Sequence, residues 1–327
     1  MTLRLDTELL EQTEQAVIYA VQKDAGDDPD ITDGITICAK VEKTQDGQII
    51  IKGGDGVGRV TKPGLACGVG EAAINPTPRA MILEAVQEIC FQAGYGGGLC
   101  VTIFVPKGAS IAAKTYNPRL GIEGGISILG TSGMVEPMSE QALLSTIEAE
   151  LKVVRASGHR IAVVSPGNYG MDFAQKQLGI DLERAVKCGN FIGEAIDMAA
   201  ASGFAAMLLI GHAGKLVKIA GGIMNTHSKT ADARMEILTA HAALAGAGSK
   251  VIRDVFDSVS VDNAFSVLQK SGYLKPVMER VTEQVQKHLE RRAGNMEIGA
   301  IIFSNQFGLL GKTVLADKLC QKVKEEA

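Results

Sequence analysis

The feature that most constrains the fold is a repeated pattern of an apolar run, a loop and a helical segment. Its clearest copies are RIAVVSPGNYG (160–170) and FAAMLLIGHAGK (204–215), whose loops contain glycine. EIGAIIFSNQFG (297–308) adds a further apolar run that ends in a polar loop. Strands alternating with helices predict a parallel sheet covered on both faces. Because ligands bind beyond the carboxyl ends of such strands, these loops are predicted to line one binding rim.

The first third of the chain has a different texture. We predict strands in QAVIYAVQK (15–23) and GITICAKVEK (34–43), and a hairpin arm followed by a glycine-rich turn in DGQIIIKGGDGVGRV (46–60). A helix over 77–93 and a buried strand over 99–106 follow. Near residue 120 the alternating pattern begins, with a helix that Ser139 can cap and Gly158 can end. The chain is therefore predicted to be α/β with two domains, at 1–119 and 120–327.

Composition excludes several classes of protein. The net charge is −4, there is no Trp and there are only five Tyr, so a nucleic-acid partner is not expected. The acidic N-terminus does not resemble a signal peptide, no apolar stretch is long enough to span a membrane, and the six cysteines are scattered. These features predict a soluble cytoplasmic protein, with the oligomeric state left open. The 38 glycines among 327 residues predict many tight loops where backbone approaches a ligand.

Three tempting motifs fail on their spacing. GHAGKL (211–216) lacks the P-loop spacing and has Leu216 in place of the magnesium-binding hydroxyl. GVGEAA (68–73) follows no clear strand, so it is not a dinucleotide fingerprint, and the acidic stretch 23–34 lacks the glycine and glutamate of a calcium loop. His212, His227 and His241 are too far apart in sequence to read as a zinc motif. No metal site is predicted.

The stretch 208–237 combines an apolar run with histidines and lysines. The run beginning MLLI, between Gly203 and Gly211, predicts a buried strand, and His212 at its end could contact either a ligand or backbone. Lys215 and Lys218 are about one helical turn apart and share a face. A charged surface helix is the simpler interpretation, but the neighbouring glycines and the predicted rim favour a binding role.

Six blocks together resemble one protein family. They are KDAGDDPDIT (23–32), GGDGVGRVTKPGL (53–65), GEAAINPTPR (70–79), TYNPRLGIEGGISILGTSGMVEPMS (115–139), GNFIG (189–193) and GHAGKLVKIAGGIMNTHSKTADARMEI (211–237). In this order they resemble the CbiD family, the cobalt-precorrin-5B C-1 methyltransferases. Members carry a further glycine- and threonine-rich N-terminal segment that this sequence lacks.

The resemblance implies S-adenosylmethionine-dependent methylation of a corrin carbon in anaerobic cobalamin biosynthesis, converting cobalt-precorrin-5B to cobalt-precorrin-6A. It also implies a small domain of ribosomal-S5-like type and a three-layer α/β/α domain. Transfer from a sulfonium is an in-line displacement, so the protein's task is alignment and exclusion of water. The electron-rich ring is the nucleophile, which fits the lack of a Ser or Cys nucleophile with a base.

Candidate roles follow for named residues. A base, if one is needed, would be His212, His227 or a nearby carboxylate. Close backbone approach and an acceptor for ribose hydroxyls predict a cofactor site formed by Gly130, Thr131, Gly133, Glu136, Gly167 and Asn168. A macrocycle fringed with carboxylates needs a cationic rim, predicted at Arg59, Arg79, Arg119, Lys215, Lys218 and Arg234. The alternative is a non-enzymatic tetrapyrrole-binding protein, which would need the rim but no glycine-lined cofactor pocket.

Overall fold

The computed structural model describes residues 6–25, 31–130 and 140–326. The chain is a mixed α/β protein that divides into two compact units, Met1–Leu143 and Leu144–Ala327. The sequence placed a boundary between residues 119 and 120 instead. The difference arises because the glycine-rich residues 122–126 form short strands that pair within the first unit. In the described part of the chain, no helix is both long and apolar enough to cross a membrane.

The first unit contains one five-stranded sheet and two small two-stranded sheets. Its strands are β1 (Thr7–Gln12), β2 (Ala16–Gln22), β3 (Thr36–Thr44), β4 (Ile49–Gly53), β5 (Gly56–Val57), β6 (Arg59–Val60), β7 (Gly98–Phe104), β8 (Ile122–Glu123) and β9 (Gly125–Ile126), and its helices are α1 (Pro76–Gln92) and α2 (Gly108–Ala112). The large sheet has the order β1-β2-β3-β7-β4. Ile82 and Val86 of α1 pack on its core residues, among them Val101 and Ile103.

The predicted hairpin arm at 46–60 is wrong in its pairing. β4 pairs in parallel with β7, and β7 separates it from β3, with which β7 pairs antiparallel. Gly98 lets the start of β7 lie directly against Thr44 and Asp46, whose side chains fill the space that a Cβ at Gly98 would need. An apolar run shows that a strand exists, but it does not show which strand lies beside it.

Glycines of the first unit pack backbone against backbone. A Cβ at Gly56 would overlap the Val105 carbonyl, and a Cβ at Gly108 or at Gly125 would overlap the backbone of Gly56. Gly56 also has φ +74°, a conformation that favours glycine. The glycine-rich motif at 53–58 therefore serves a tight crossing of β5, β9 and the start of α2, a use of glycine that does not depend on a ligand.

The second unit is built around a sheet of the order β11-β10-β12-β13-β14. Its elements are α3 (Glu140–Ala156, which begins ahead of the unit), β10 (Ile161–Ser165), α4 (Asn168–Leu178), a 3-10 turn (Leu182–Arg184), β11 (Ala185–Lys187), α5 (Ile192–Ala201), β12 (Ala206–His212), α6 (Ala213–Ala220), α7 (Arg234–Leu244), α8 (Ser249–Phe256), α9 (Val261–Lys270), α10 (Leu274–Ala293), β13 (Glu297–Ser304), β14 (Gly308–Lys312) and α11 (Ala316–Glu325). β10 to β13 are mutually parallel and β14 is antiparallel to β13.

Helices cover both faces of this sheet, as the alternating pattern predicts. Side chains alternate along each strand. Met207 and Leu209 of β12 therefore join a core with α3, α5, α6 and α10, while Leu208 and Ile210 join a second core with α4 and α11. The predicted buried strand at MLLI is confirmed, since residues 206–211 of β12 are buried.

We predict that the glycine crossing limits the stability of the first unit. In Gly56→Ala the new Cβ meets backbone that cannot move aside and the residue keeps a positive φ, so the free energy of unfolding should fall by about 3 kcal/mol or more. Gly47→Ala is the matched control, because Gly47 has φ +70° but no atom within 4 Å of the added Cβ. It should lose only about 1–2 kcal/mol. Equal losses in urea unfolding, followed by circular dichroism, would contradict the role of the crossing.

We predict that mild acid destabilises the second unit. Burial lowers the pKa of His159, His212 and His241 below the ordinary 6.5. The unfolded chain therefore binds protons more readily than the folded one below that pH. Stability from these residues is complete above pH 6.5 and is lost as pH falls toward the folded-state pKa values. Melting temperatures at pH 7.5, 6.5 and 5.5 should decline, and His241→Gln should decline less steeply than the parent. Identical slopes for the two proteins would refute the assignment.

Candidate functional site

Four parallel strands of the second unit end at one edge of their sheet, here called the carboxyl edge. The loops beyond it are 166–167 after β10, 188–191 after β11 and 305–307 after β13, and β12 runs directly into α6. The first two loops are joined by a hydrogen bond from the Cys188 N–H to the Ser165 carbonyl at 2.9 Å. Open parallel sheets bind ligands at this position, so the carboxyl edge is the candidate site.

The loop after β10 is shaped by a serine and two glycines. The buried Ser165 hydroxyl lies 2.9 Å from the Gly167 carbonyl, to which it donates. A Cβ at Gly170 would overlap Ser165 Oγ and the Ile210 carbonyl, so α4 begins directly against the sheet. At Gly167 an added Cβ would meet no atom within 4 Å, and the following Asn168 is exposed. No side chain caps this helix start, which favours a negatively charged group.

His212 caps the start of α6. Its Nδ1 accepts the Gly214 N–H at 3.1 Å, and its Nε2 lies 3.4 Å from the Asn305 backbone nitrogen. A neutral imidazole has one lone pair for hydrogen bonding, so the shorter contact defines Nδ1 as the acceptor. Burial lowers the pKa of His212, and Asp262 opposes this shift. The ring is therefore neutral near pH 7, and its lone pair is engaged by the helix.

An aromatic row runs from the core to the carboxyl edge. Phe173 stacks on Phe303 at 4.2 Å, Phe303 meets the His212 ring edge-on at 5.6 Å, and Tyr169 lies 6.1 Å from His212. Tyr169 stands at the outer end of the row with 64% of its surface exposed. A ring supported from behind and exposed in front is suited to pack against a flat ligand.

Asp262 and Ser304 hold the loop after β13. The buried Ser304 hydroxyl donates to Asp262 Oδ1 at 2.8 Å and lies 3.1 Å from the Gln306 N–H, which it accepts. It also accepts the Phe307 N–H at 3.4 Å. One hydroxyl thus uses its donor and both acceptor positions. The loop that presents Asn305 to His212 is thereby anchored to α9.

Lys215 turns inward at the carboxyl edge. Its Nζ donates to the Pro166 carbonyl at 2.8 Å and to the Gly189 carbonyl at 3.1 Å. The side chain is half-buried, and burial lowers its pKa, an effect that Cys188 opposes and Lys187 and Lys218 reinforce. The ammonium therefore joins the loops after β10 and β11.

The loop after β11 links this edge to a later loop. It begins at Cys188, whose thiol is fully enclosed, and burial raises the pKa of that thiol to about 12. After a turn at Gly189 (φ +60°), the Asn190 carbonyl accepts the Thr226 N–H at 2.9 Å. The Thr226 hydroxyl also donates to Asn190 Oδ1 at 3.2 Å. Residues 188–190 and 226 therefore form one connected wall.

Lys218 is more deeply buried than Lys215, with 2% of its surface exposed. Its Nζ donates to the Thr226 carbonyl at 3.1 Å and to the Ala231 carbonyl at 2.7 Å, and it lies 4.0 Å from Asp232. Burial lowers its pKa, and Asp232 acts in the opposite direction. This lysine closes the loop 226–232 from inside.

Arg234 and His227 are also committed within that loop. Arg234 forms a two-pronged contact to Asp232, with distances of 2.5 and 2.7 Å, and this contact lowers the pKa of the carboxyl group. Between them Ala233 adopts φ +51°, a left-handed conformation that is unusual for alanine. The exposed His227 accepts the Lys229 N–H at Nδ1, at 3.0 Å.

The remaining candidates belong to the first unit or lie outside the described residues. Arg59 is exposed and donates to the Gly70 carbonyl at 2.7 Å, and Arg79 on α1 donates to the Ile51 carbonyl at 3.0 Å. Arg119 is exposed in the turn before β8, and Gly130 has φ +154° with open space around it. Thr131, Gly133 and Glu136 lie outside the described residues.

Of the candidates in the second unit, the structure places Gly167, Asn168, His212 and Lys215 at the carboxyl edge. It places Lys218, His227 and Arg234 on the connected loop. The sequence analysis missed Tyr169, Asn190, Asp262, Ser304 and Asn305. The same strand-end rule could have found all of these except Asp262, which comes from a helix. Within residues 6–25, 31–130 and 140–326, no three His, Cys, Asp or Glu side chains are grouped so as to hold a metal ion.

Comparison with known proteins identifies the family. A family model described as CbiD matches residues 1–137, and one described as CbiD, C-terminal domain matches residues 225–314. Cobalt-precorrin-5B C(1)-methyltransferase of Ruminiclostridium cellulolyticum is 52% identical over 292 residues, 89% of this chain and 76% of that protein. The protein of the same name from Alkaliphilus metalliredigens is 44% identical over 325 residues, 99% of this chain and 85% of that protein.

Among solved structures, the cobalamin biosynthesis protein (cbiD) from Archaeoglobus fulgidus is 28% identical, and the match covers 66% of this chain and 67% of that chain. Its TM-score of 0.32 is too low for a comparison of site geometry. The two sequence relatives, by contrast, match this chain along most of its length, as the two family models do in its N-terminal and C-terminal parts. The chain belongs to the CbiD family.

Proposed function

We propose that this chain is a cobalt-precorrin-5B C(1)-methyltransferase, which methylates C-1 of the corrin ring and yields cobalt-precorrin-6A in anaerobic cobalamin biosynthesis. The observation that carries the proposal is the match over 99% of the chain to a relative of that name at 44% identity. The carboxyl edge of the second sheet is the site that we assign to the reaction, because its loops, exposed aromatic ring and helix start lie together.

The proposed methyl donor is S-adenosylmethionine, which supplies an electrophilic methyl group when bound. Gly167 fits a close backbone approach, since a Cβ there would meet no neighbour, and the uncapped start of α4 at Asn168 suits a carboxylate. Gly130, with open space around it, is retained as a candidate, as are Thr131, Gly133 and Glu136. The chain's own contribution is to hold the reactants in line and to keep water away from them.

A proton that leaves the ring would need an acceptor. We retain His212 and His227 as candidates and rank His227 first. Protonating His212 at Nδ1 would remove the cap of α6 from a buried ring, whereas His227 would lose only an exposed contact to Lys229. The carboxylates of the macrocycle need cations, and the exposed Arg59 and Arg119 are our leading candidates. Arg79, Lys215, Lys218 and Arg234 each use donors within the protein.

The finer fold assignment is also a proposal. We assign the first unit to the ribosomal-S5-like type and the second to the three-layer α/β/α type. What supports the second assignment is the pair of hydrophobic cores on opposite faces of the largely parallel sheet.

We predict that the purified chain binds S-adenosylhomocysteine at one saturable site and transfers one methyl group to cobalt-precorrin-5B. The failed phosphate and dinucleotide motifs predict no comparable binding of ATP or NADH. Isothermal titration with the three ligands is the measurement, and mass spectrometry of the corrinoid product follows the transfer. Saturable ATP or NADH binding without S-adenosylhomocysteine binding would refute the proposal.

We predict that Tyr169 contacts the flat macrocycle. Tyr169→Ala removes the exposed ring and should weaken binding of a cobalt corrinoid by about 0.5–1.5 kcal/mol, while Tyr169→Phe, which keeps the ring, should bind like the parent. The affinity for S-adenosylhomocysteine serves as the internal control for an intact site. Parent-like corrinoid affinity in Tyr169→Ala would exclude this contact.

A further inference from the structure

We propose that Lys215 is a positioning residue, which sets the loops 165–168 and 188–190 of the site through their backbone and does not itself contact the substrate. The inference rests on the proposed function, because it assigns the loop at Gly167 and Asn168 to the methyl donor. It differs from the expectation that Lys215 binds a carboxylate of the macrocycle.

The geometry of the ammonium group supports this role. Lys215 Nζ has three N–H donors, and two of them are directed to the Pro166 and Gly189 carbonyls at 2.8 and 3.1 Å. These carbonyls lie 49 and 26 residues away in sequence and belong to different loops. One half-buried side chain therefore fixes the spacing between the loops that follow β10 and β11.

Each fixed carbonyl also fixes the N–H group of the same peptide. A peptide unit is planar and trans, so its N–H points away from its carbonyl. With the Pro166 carbonyl turned toward Lys215, the Gly167 N–H faces the other way and meets Ser165 Oγ at 3.4 Å. The Gly189 carbonyl likewise sets the direction of the Asn190 N–H. Lys215 thus controls the directions of the backbone donors beside Asn168 and Asn190.

Lys218 offers a contrast on the same helix. It is also buried and also donates to two carbonyls, those of Thr226 and Ala231, but these belong to the loop 226–232. Removing either ammonium leaves two carbonyls without their donor, so the two variants carry a similar cost in folding. Only Lys215 holds the loop at Gly167.

The test compares Lys215→Met, Lys215→Arg and Lys218→Met with the parent by titration with S-adenosylhomocysteine and with a cobalt corrinoid. Lys215→Met should lose about tenfold or more in S-adenosylhomocysteine affinity. Lys215→Arg, which keeps charge and donors, should recover most of that affinity, and Lys218→Met should stay within about threefold of the parent. A loss confined to the corrinoid, or no loss for either ligand, would overturn the proposal.

Hydrogen exchange measured by mass spectrometry separates this inference from the proposed function. In Lys215→Met, peptides covering 165–170 and 188–191 should exchange faster than in the parent, while peptides covering 226–232 should not. This readout applies even if the parent fails to bind S-adenosylhomocysteine, an outcome that would count against the proposed function alone. Unchanged exchange in both loops would overturn the positioning role. If Lys215→Met does not fold, Lys215→Gln, which keeps an N–H donor, is measured in its place and should show a smaller change in the same direction.

Discussion

The parallel pairing of β10, β11, β12 and β13 is the constraint on which the second unit depends. It sends four chain segments toward one edge, and carbonyl groups there need partners outside the sheet. The protein supplies them from neighbouring elements: a lysine from α6, a serine hydroxyl and the backbone N–H of Cys188. The candidate site is therefore a product of how the sheet edge is completed.

Much of the fold could be predicted because its signals are local. The run around Leu208 is short, apolar and bounded by glycines, and it forms β12; the helix predicted over 77–93 is α1 at Pro76–Gln92. Pairing is not local. β4 looked like a hairpin arm, but β7, almost fifty residues later in the chain, lies between it and β3. The boundary near residue 120 was misplaced for the same reason, since a change of texture does not reveal a partner strand.

The candidate site could be predicted in position but not in the roles of its charges. Lysines beside a glycine loop suggest a ligand, and sequence spacing shows only that Lys215 and Lys218 share a helical face. Whether an ammonium group points outward or into the wall depends on carbonyls brought from distant loops, such as those of Pro166 and Ala231. Glycine was ambiguous in a similar way, because Gly56 serves a backbone crossing whereas Gly167 borders open space.

Cys188 gives this wall a chemical property of its own. Its thiol is enclosed and holds its proton up to a pKa of about 12, so in the closed protein it has neither the thiolate form nor the access that alkylating reagents require. It lies between the carbonyl of Ser165, which accepts its N–H, and Gly189, which Lys215 holds. Alkylation at this position would therefore require the wall to open, which makes Cys188 a native reporter of breathing at the sheet edge.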